Sequence, residues 1–278
     1  MGFATLAVVN FVCGSIFLLP LENAFAQRST ESSVPANTVL IVHDELPQTE
    51  VLATFLREEG GLDVAVVDQS QLPKDWSGYR AVIAYIHRVL EVPTENAIIA
   101  YTENGGRYIA LHHSISSKKA LNEFYFDFLG IRLDNPGAAK NPVIPGEGYG
   151  YRHEATLTLV NLNPSHYITS HNVTWAEEVS YTSSDHSSVE IAYPSISLHD
   201  TEVYLNHKST DGREKIVLAG IRFFDDRNGQ MFMQDRGAWL KKHGKGEVIY
   251  FMPGHAASDF ENDNYAQMIL NAITWEPR

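Results

Sequence analysis

Cysteine is almost absent from this sequence. Its 278 residues contain a single cysteine, Cys13, which lies in an apolar N-terminal stretch. Without that stretch, the chain has no thiol for a disulfide, for a cysteine nucleophile or for a cysteine-ligated zinc ion. A domain of about 250 residues buries enough apolar surface to fold without such cross-links. Any catalytic or metal site must therefore be built from histidines and carboxylates.

Basic residues are also scarce. The chain has 21 lysines and arginines against 34 aspartates and glutamates, and its formal net charge is −13. A surface this acidic repels phosphate backbones and anionic lipids. The sequence also contains no cluster of basic residues interleaved with aromatic ones. We therefore expect no nucleic-acid partner, whereas neutral small molecules and cations remain open as ligands.

The N-terminal residues have the features of an export signal. Residues 2–21 carry no charged side chain, and the triplet Ala24-Phe25-Ala26 follows them. This order is typical of a secretory signal peptide, so we predict a signal peptide at 1–26 and a periplasmic or extracellular mature protein that is free of the membrane. An uncleaved anchor is the alternative, since about 20 apolar residues span a bilayer. A lipid on Cys13 is a second alternative, although the residues before it are not small.

Residues 27–37 are polar and contain a proline, so we predict a flexible leader there. After the leader, short apolar runs alternate with amphipathic helical patterns through one predicted domain, 38–278. This alternation, with short connections, favours βαβ units and a doubly wound, mostly parallel sheet of the flavodoxin type. Alternating apolar and polar residues elsewhere predict an added β-rich portion. It would form antiparallel or edge additions to the sheet, or a small β-layer beside it. We predict parallel strands at 38–43, 63–67, 80–86, 107–111 and 247–252, helices at 48–59, 94–104, 117–129 and 260–275, and added strands around 154–160, 189–193, 202–206 and 215–221.

Histidines follow the carboxyl ends of four predicted parallel strands. They are His43, His87, the pair His112-His113, and His255. Ligands of open parallel sheets bind beyond this edge, so we expect these imidazoles to lie close together. Imidazole is the usual acid–base group at neutral pH, and two histidines with a carboxylate also form a site for zinc or another divalent metal. We select His113 and His255 as acid–base or metal-ligand candidates.

The other histidines are interpreted as surface groups. His43 and His87 are expected to be solvent-facing polar caps at strand ends. The remainder lie in polar stretches; they are His153, His166, His171, His186, His199, His207 and His243.

Three segments together resemble one known family. They are residues 104–114, with two glycines, a strand and Leu111-His112-His113; His166-Tyr167-Ile168-Thr169 followed by residues 177–181; and residues 239–255, with Gly244-Lys245-Gly246, a strand and Pro253-Gly254-His255. In these segments the chain resembles the ThuA-like (trehalose utilisation) family, whose fold is that of the class I glutamine amidotransferases. The likeness covers most of residues 38–278.

The resemblance implies a role in carbohydrate metabolism, with a sugar or disaccharide derivative as the small-molecule partner. It makes Glu178 the carboxylate partner of His113 and His255. It also implies that His112, Tyr181 and Trp239 bind the substrate. Aromatic rings suit stacking on pyranose rings, and Tyr149 and Tyr151 are further candidates for that contact.

The resemblance also bears on the reaction. In the amidotransferases a cysteine nucleophile occupies the turn after the strand that corresponds to residues 107–111, and here His112 and His113 stand in that turn. A thiolate is a strong nucleophile near neutral pH and imidazole does not replace it, so we expect no glutaminase activity. Two alternatives to a sugar-modifying enzyme remain: a non-catalytic carbohydrate- or protein-binding module, and a divalent-metal-dependent hydrolase.

Overall fold

The computed structural model describes residues 1–2, 34–35, 37–137, 142–183, 189–210 and 214–277. Residues 34–278 form one compact unit. The predicted signal peptide and leader, with Cys13, lie almost entirely outside the described residues. Within the described part of the chain, no helix combines the length and the apolar character needed to cross a membrane.

Strands dominate the described chain and six helices connect or cover them. The helices are α1 (Leu46–Glu58), α2 (Val92–Glu103), α3 (Tyr125–Leu129), α4 (Tyr167–Ser170), α5 (Ala257–Phe260) and α6 (Asp263–Thr274), with short 3-10 turns at Gln69–Gln71, His112–Ile115 and Ser117–Leu121. The strands are β1 (Thr38–His43), β2 (Asp63–Asp68), β3 (Ala81–Tyr85), β4 (Arg107–Leu111), β5 (Ile131–Arg132), β6 (Gly150–Asn161), β7 (Glu177–Tyr181), β8 (Ile191–Leu205), β9 (Lys208–Ser209), β10 (Ile216–Asp225), β11 (Gln230–His243) and β12 (Gly246–Phe251).

One half of the main sheet is parallel, as predicted. Its strands lie in the order β2-β1-β3-β4-β12, and each neighbouring pair is parallel. Every residue of β1, β3 and β12 is buried, which explains why these strands are continuous apolar runs without alternation. The strand order runs outward from β1 in both directions, so right-handed crossovers place α1 and α2 on opposite faces. Helix α1 packs against α5 and α6, and α2 against α3.

The other half is antiparallel and belongs to the same sheet. After β12 the order continues β11-β10-β6-β8-β7, which gives ten strands in all, with antiparallel pairing throughout. The added β-rich portion is confirmed, but it extends the main sheet and does not form a separate layer. In the described chain, β5 and β9 pair apart from it as a two-stranded sheet. The sequence patterns missed β11, which forms a hairpin with β10.

The predicted helix at 117–129 is wrong over most of its length. The chain there forms a 3-10 turn and then the five-residue α3. Tertiary hydrogen bonds compete with helix formation here. The Phe124 amide donates to Glu95 Oε1 (2.7 Å), and the side chain of Asn122 in this segment accepts from the Leu90 amide (3.1 Å). Tertiary contacts therefore override the local helical pattern.

The β6–β8 pair contains two bulges. Between Arg152 and Ala155 the strand β6 has one more residue than β8, and between Ala155 and Leu157 the extra residue is on β8. Glu154 and Asp200, at these two places, have φ of +53° and +54°. Bulges bend strands and increase their twist. The bend brings the C-terminal part of β8 back to the carboxyl edge of β4, although four strands separate β4 from β8 in the sheet order.

Candidate functional site

His112 and His113 occupy a strained turn directly after β4. His112 has a φ of +35°, a left-handed conformation that is uncommon for residues other than glycine, and its side chain is fully buried. The His112 Nδ1 lies 2.6 Å from the Met252 carbonyl oxygen, so Nδ1 carries the hydrogen and donates it. This bond directs the other ring nitrogen, Nε2, away from Met252.

Glu202 meets that nitrogen from the antiparallel half of the sheet. It lies on β8 after the second bulge, and its Oε2 is 2.9 Å from His112 Nε2. The Glu202 side chain is only 4% exposed. Neighbouring Tyr204, also on β8, packs its ring on His112 with the centroids 4.8 Å apart. The bend of β8 is therefore what delivers a buried carboxylate to the imidazoles.

His255 comes from the turn after β12. Gly254 has a φ of +130°, and a Cβ at this position would lie 2.8 Å from Phe260 and 3.4 Å from His112 Cβ, so only glycine fits. Asp259 Oδ2 accepts hydrogen bonds from the amides on both sides of His255, those of Gly254 (3.0 Å) and Ala256 (3.2 Å). The Tyr85 hydroxyl donates to the Gly254 carbonyl (2.7 Å). These contacts fix the turn and direct the His255 ring toward Glu202.

Together, His112, His113, Glu202 and His255 form what we call the His–Glu cluster. Glu202 Oε2 lies 2.9 Å from His112 Nε2, 3.4 Å from His255 Nδ1 and 3.7 Å from His113 Nε2. One ligating atom from each of the four residues falls within 4.8 Å of the others. The structure thus brings together His112, His113 and His255, three of the residues selected from the sequence; the rings of His113 and His255 are 5.6 Å apart.

The surroundings set different protonation states within the cluster. Burial raises the pKa of Glu202, but its close contacts with His112 and His255 lower it by more, so the net shift is downward and the carboxylate is ionised. Burial, and then the neighbouring imidazoles of His112 and His87, lower the pKa of His113, which leaves this imidazole neutral. The contact with Glu202 raises the pKa of His255, against the opposing effect of partial burial. Perturbed groups of this kind concentrate at functional sites.

A second pair of polar groups borders the cluster. Glu45 Oε1 lies 2.7 Å from His87 Nδ1, and Glu45 Oε2 lies 3.6 Å from His113 Nδ1. The rings of His87 and His113 stack with centroids 4.5 Å apart. Asp44 accepts hydrogen bonds from the His87 and Arg88 amides and so fixes the loop that carries His87. Glu45 thus faces both imidazoles.

The solvent side of the cluster is aromatic. The His153 ring lies 5.2 Å from the ring of His255, and its Nδ1 is 3.4 Å from Glu202 Oε1. Tyr151 contacts His153 in turn, with the ring centroids 5.2 Å apart, and is exposed. Tyr151 and His153 are therefore exposed rings beside the cluster. Tyr149, by contrast, is buried behind Tyr151.

The structure does not bring Glu178, Tyr181 or Trp239 to the cluster. Glu178 is exposed on β7, at the far edge of the sheet. Tyr181 is buried and its hydroxyl donates to Asp235 (2.7 Å). Trp239 is buried on β11 against Tyr250. Glu202 occupies the place that the sequence interpretation assigned to Glu178.

Three histidines also differ from their sequence interpretation. His43 and His207, expected at the surface, are buried. His153, also interpreted as a surface residue, has an exposed side chain but contacts Glu202. The sequence does contain a signal for Glu202. This glutamate alternates on β8 with the apolar residues Val203 and Leu205. A glutamate in such a strand either faces solvent or is buried with a partner.

Lys119 holds the loop beside the cluster from within the core. It is fully buried, and its Nζ donates to the carbonyl oxygens of Ile86 (2.5 Å) and His87 (3.2 Å) and to Ser116 Oγ (3.4 Å). Burial lowers the pKa of Lys119 to about 7. The nearby charges of Asp44 and Glu45 only partly oppose this shift.

This lowered pKa predicts a pH-dependent stability. Between pH 7 and about 10, the Lys119 amine is neutral in the folded protein and protonated in the unfolded chain, so the unfolded state binds the additional proton and the free energy of unfolding rises with pH. The slope for one proton is at most about 1.4 kcal/mol per pH unit. Urea unfolding of the wild type and of Lys119→Met between pH 6.5 and 9 measures this difference. Parallel pH profiles for the two proteins would contradict the assignment.

A cavity of about 790 Å³ lies at the opposite, amino edge of the parallel strands, lined by residues such as Trp76, Tyr101 and Arg107. Two of its basic side chains are already paired with one carboxylate: Arg107 lies 3.1 Å from Glu247, and Lys242 also contacts Glu247. None of the candidate metal-binding groups among the described residues lies there. The candidate catalytic and metal-binding side chains therefore lie at the carboxyl edge of the sheet and not in this cavity.

The fold and the site define an α/β protein of the glutamine amidotransferase-like class with imidazoles, not a thiol, at the carboxyl edge of its sheet. A family model described as ThuA, trehalose utilisation, matches residues 34–276. The chain therefore belongs to the ThuA family, which has this fold and connects the chain with carbohydrate metabolism.

Comparison with a solved ThuA-like structure adds support for the fold. No curated protein sequence matches the chain. Among solved structures, a putative ThuA-like protein from Bacteroides uniformis is similar, with 15% identity and a TM-score of 0.56 over 88% of this chain and 93% of that one. A β-galactosidase from Bacillus circulans matches with 12% identity and a TM-score of 0.49, over 87% of this chain but 31% of the galactosidase.

Proposed function

We propose that this chain is an exported, sugar-modifying enzyme whose active site is the His–Glu cluster. Its substrate would be a sugar or disaccharide derivative that enters past Tyr151 and His153. The convergence of three imidazoles and one buried carboxylate at the carboxyl edge of the parallel strands carries this proposal. The export proposal depends on the signal-like pattern of residues 1–26.

The position of the cluster supports an enzyme. Open α/β sheets bind their ligands beyond the carboxyl ends of the strands, and the cluster lies beyond β4 and β12. Its side chains are held by the strained His112 backbone, by Asp259 and by the bend of β8, so they are preorganised. Such support is what a catalytic site needs to act on a bound substrate.

The burial of most aromatic candidates disfavours a non-catalytic binding module. A carbohydrate-binding surface would present a shallow strip of exposed aromatic rings. Tyr181, Trp239 and Tyr149 are all buried, so among the aromatic candidates only Tyr151 is available for stacking. We also propose that the chain has no glutaminase activity, because His112 stands where the amidotransferases carry a cysteine.

Replacement of His113 or His255 by alanine tests the site. With mono- and disaccharides and their oxidised derivatives as ligands, we expect turnover to fall by about 100-fold or more, the range for loss of a catalytic side chain. Calorimetry would follow binding of the same sugars. His199→Ala is the matched control, since His199 is exposed on the same strand as Glu202. Unchanged affinity and turnover in both cluster variants would remove this site from consideration.

A further inference from the structure

The ligating atoms of the cluster are spaced as they would be around one metal ion. Bonds of 2.0–2.1 Å to a tetrahedral ion place neighbouring ligand atoms about 3.3 Å apart. The three separations from Glu202 Oε2 to the ring nitrogens of His112, His255 and His113 are 2.9, 3.4 and 3.7 Å. Two of them are longer than a strong hydrogen bond, and the four ligand atoms all lie within 4.8 Å of one another.

The contact between His112 and Glu202 also offers a place for a proton or a metal ion. In a neutral ring, His112 donates through Nδ1 to the Met252 carbonyl, so its Nε2 is an acceptor. That acceptor faces Glu202 Oε2 at 2.9 Å, and an ionised carboxylate only accepts. Two acceptors in contact inside a protein need a proton or a metal ion between them. Within the described chain, the cationic groups within 4 Å of Glu202 are all histidines: His112, His113, His153 and His255.

The outer contacts are those of a metal site. Histidine ligands of metals usually donate their second ring N–H to a carbonyl or carboxylate, which fixes the tautomer. His112 has the Met252 carbonyl for this purpose. His113 has Glu45, whose Oε2 lies 3.6 Å from an Nδ1 that is buried without a hydrogen-bond partner. His112 therefore has an outer acceptor, Glu45 is the carboxylate nearest to the second nitrogen of His113, and the Nε2 atoms of both rings face Glu202.

The neighbouring group Glu45, His87 and His113 also places ligating atoms close together, but it fits a metal less well. His87 Nδ1 already bonds to Glu45 at 2.7 Å. The His87 and His113 rings are stacked and only 19° from parallel, so the lone pairs in their ring planes run side by side and do not converge on one ion. Glu45 is better placed as the outer partner of His113.

We propose that the cluster binds one divalent transition-metal ion through His112 Nε2, His113 Nε2, His255 Nδ1 and Glu202 Oε2. Three imidazoles and a carboxylate suit zinc, manganese or iron(II), and the absence of sulfur ligands excludes a preference for soft ions. This inference rests on the proposed function only where it gives the ion a role in catalysis. Binding of the ion does not depend on whether the ligand is a sugar. Partly exposed His255 lies on the side where a substrate oxygen would approach the ion.

Calorimetric titration of the chelator-stripped full chain with Zn²⁺ and with Mn²⁺, in the absence of any sugar, tests the proposal. We expect one ion per chain for at least one of the two metals. Loss of a ligand should weaken binding by about 100-fold or more, at or beyond the effect of losing an outer-shell partner. Glu202→Gln preserves the side-chain volume and should show this loss, and His199→Ala should bind as the wild type does.

Circular dichroism and thermal unfolding establish that Glu202→Gln folds; if it does not, His255→Ala takes its place, because that ring is partly exposed. Failure of the wild type to bind either ion, or equal affinity in the wild type and the ligand variant, overturns the metal site. This outcome is separate from that of the sugar assay: one bound ion without sugar turnover would leave the metal site standing and remove the sugar-modifying function.

Discussion

Replacement of Asp259 by alanine is expected to destabilise the protein by about 3 to 5 kcal/mol and to abolish activity at the cluster. One oxygen of this buried carboxylate accepts three hydrogen bonds, from the Gly254 and Ala256 amides and from Thr201 Oγ1 at 2.6 Å. Thr201 precedes Glu202 on β8. Asp259 therefore ties the turn that carries His255 to the strand that carries Glu202.

Two measurements separate the parts of this effect. Urea unfolding gives the change in the free energy of unfolding, and sugar turnover, measured well below the unfolding midpoint, gives the change at the site. Glu261→Ala, an exposed carboxylate two residues away, should behave like the wild type in both. Asp259→Asn should retain part of the stability because its amide oxygen still accepts. An Asp259→Ala protein with wild-type stability and turnover would show that the turn needs no such anchor.

Replacement of Gly246 by alanine is expected to destabilise the fold by about 3 kcal/mol or more, at or above the usual range for overpacking. A Cβ at Gly246 would lie 2.2 Å from the Gly106 carbonyl oxygen and 2.4 Å from that of Thr102. Both contacts are with backbone, which cannot rotate away as a side chain can. Relief would require the end of α2 to move away from the start of β12.

The measurement is again urea unfolding, with Gly137→Ala as the matched control. Gly137 is exposed, and a Cβ there would meet nothing within 4 Å, so this variant should stay within about 0.5 kcal/mol of the wild type. A Gly246→Ala protein as stable as the control would mean that the close approach of β12 to α2 has room to relax.

The parallel half of the fold follows from local sequence pattern. β1, β3, β4 and β12 are short apolar runs buried on both faces, so their type and approximate ends are set by residues within each segment. Parallel strands share one carboxyl edge, and for that reason the convergence of His112, His113 and His255 was predictable. The resemblance to the ThuA family agreed with this pattern.

The carboxylate of the site was not predictable in the same way. Glu202 reaches the cluster because one extra residue in β6 and one in β8 bend this strand pair, and the residues at the bulges, Glu154 and Asp200, are not the glycines that usually mark such a conformation. Glu178 was the natural candidate from the family pattern, but β7 lies at the edge of the sheet. The periodicity of a strand can be recognised in a short sequence window. The bend that brings distant strands together cannot.

The position of β12 has a consequence for synthesis and truncation. This strand is the last in the chain, yet it pairs with β4 and β11 in the middle of the sheet, and Glu247 is aligned with Arg107, 140 residues earlier. Contacts of such sequence separation form slowly, and the two halves of the sheet can join only after the chain has left the ribosome as far as Phe251. Loss of the residues from Gly246 onward would remove an internal strand and separate the two halves of the sheet. In most proteins, loss of terminal residues only shortens an element at the edge of the fold.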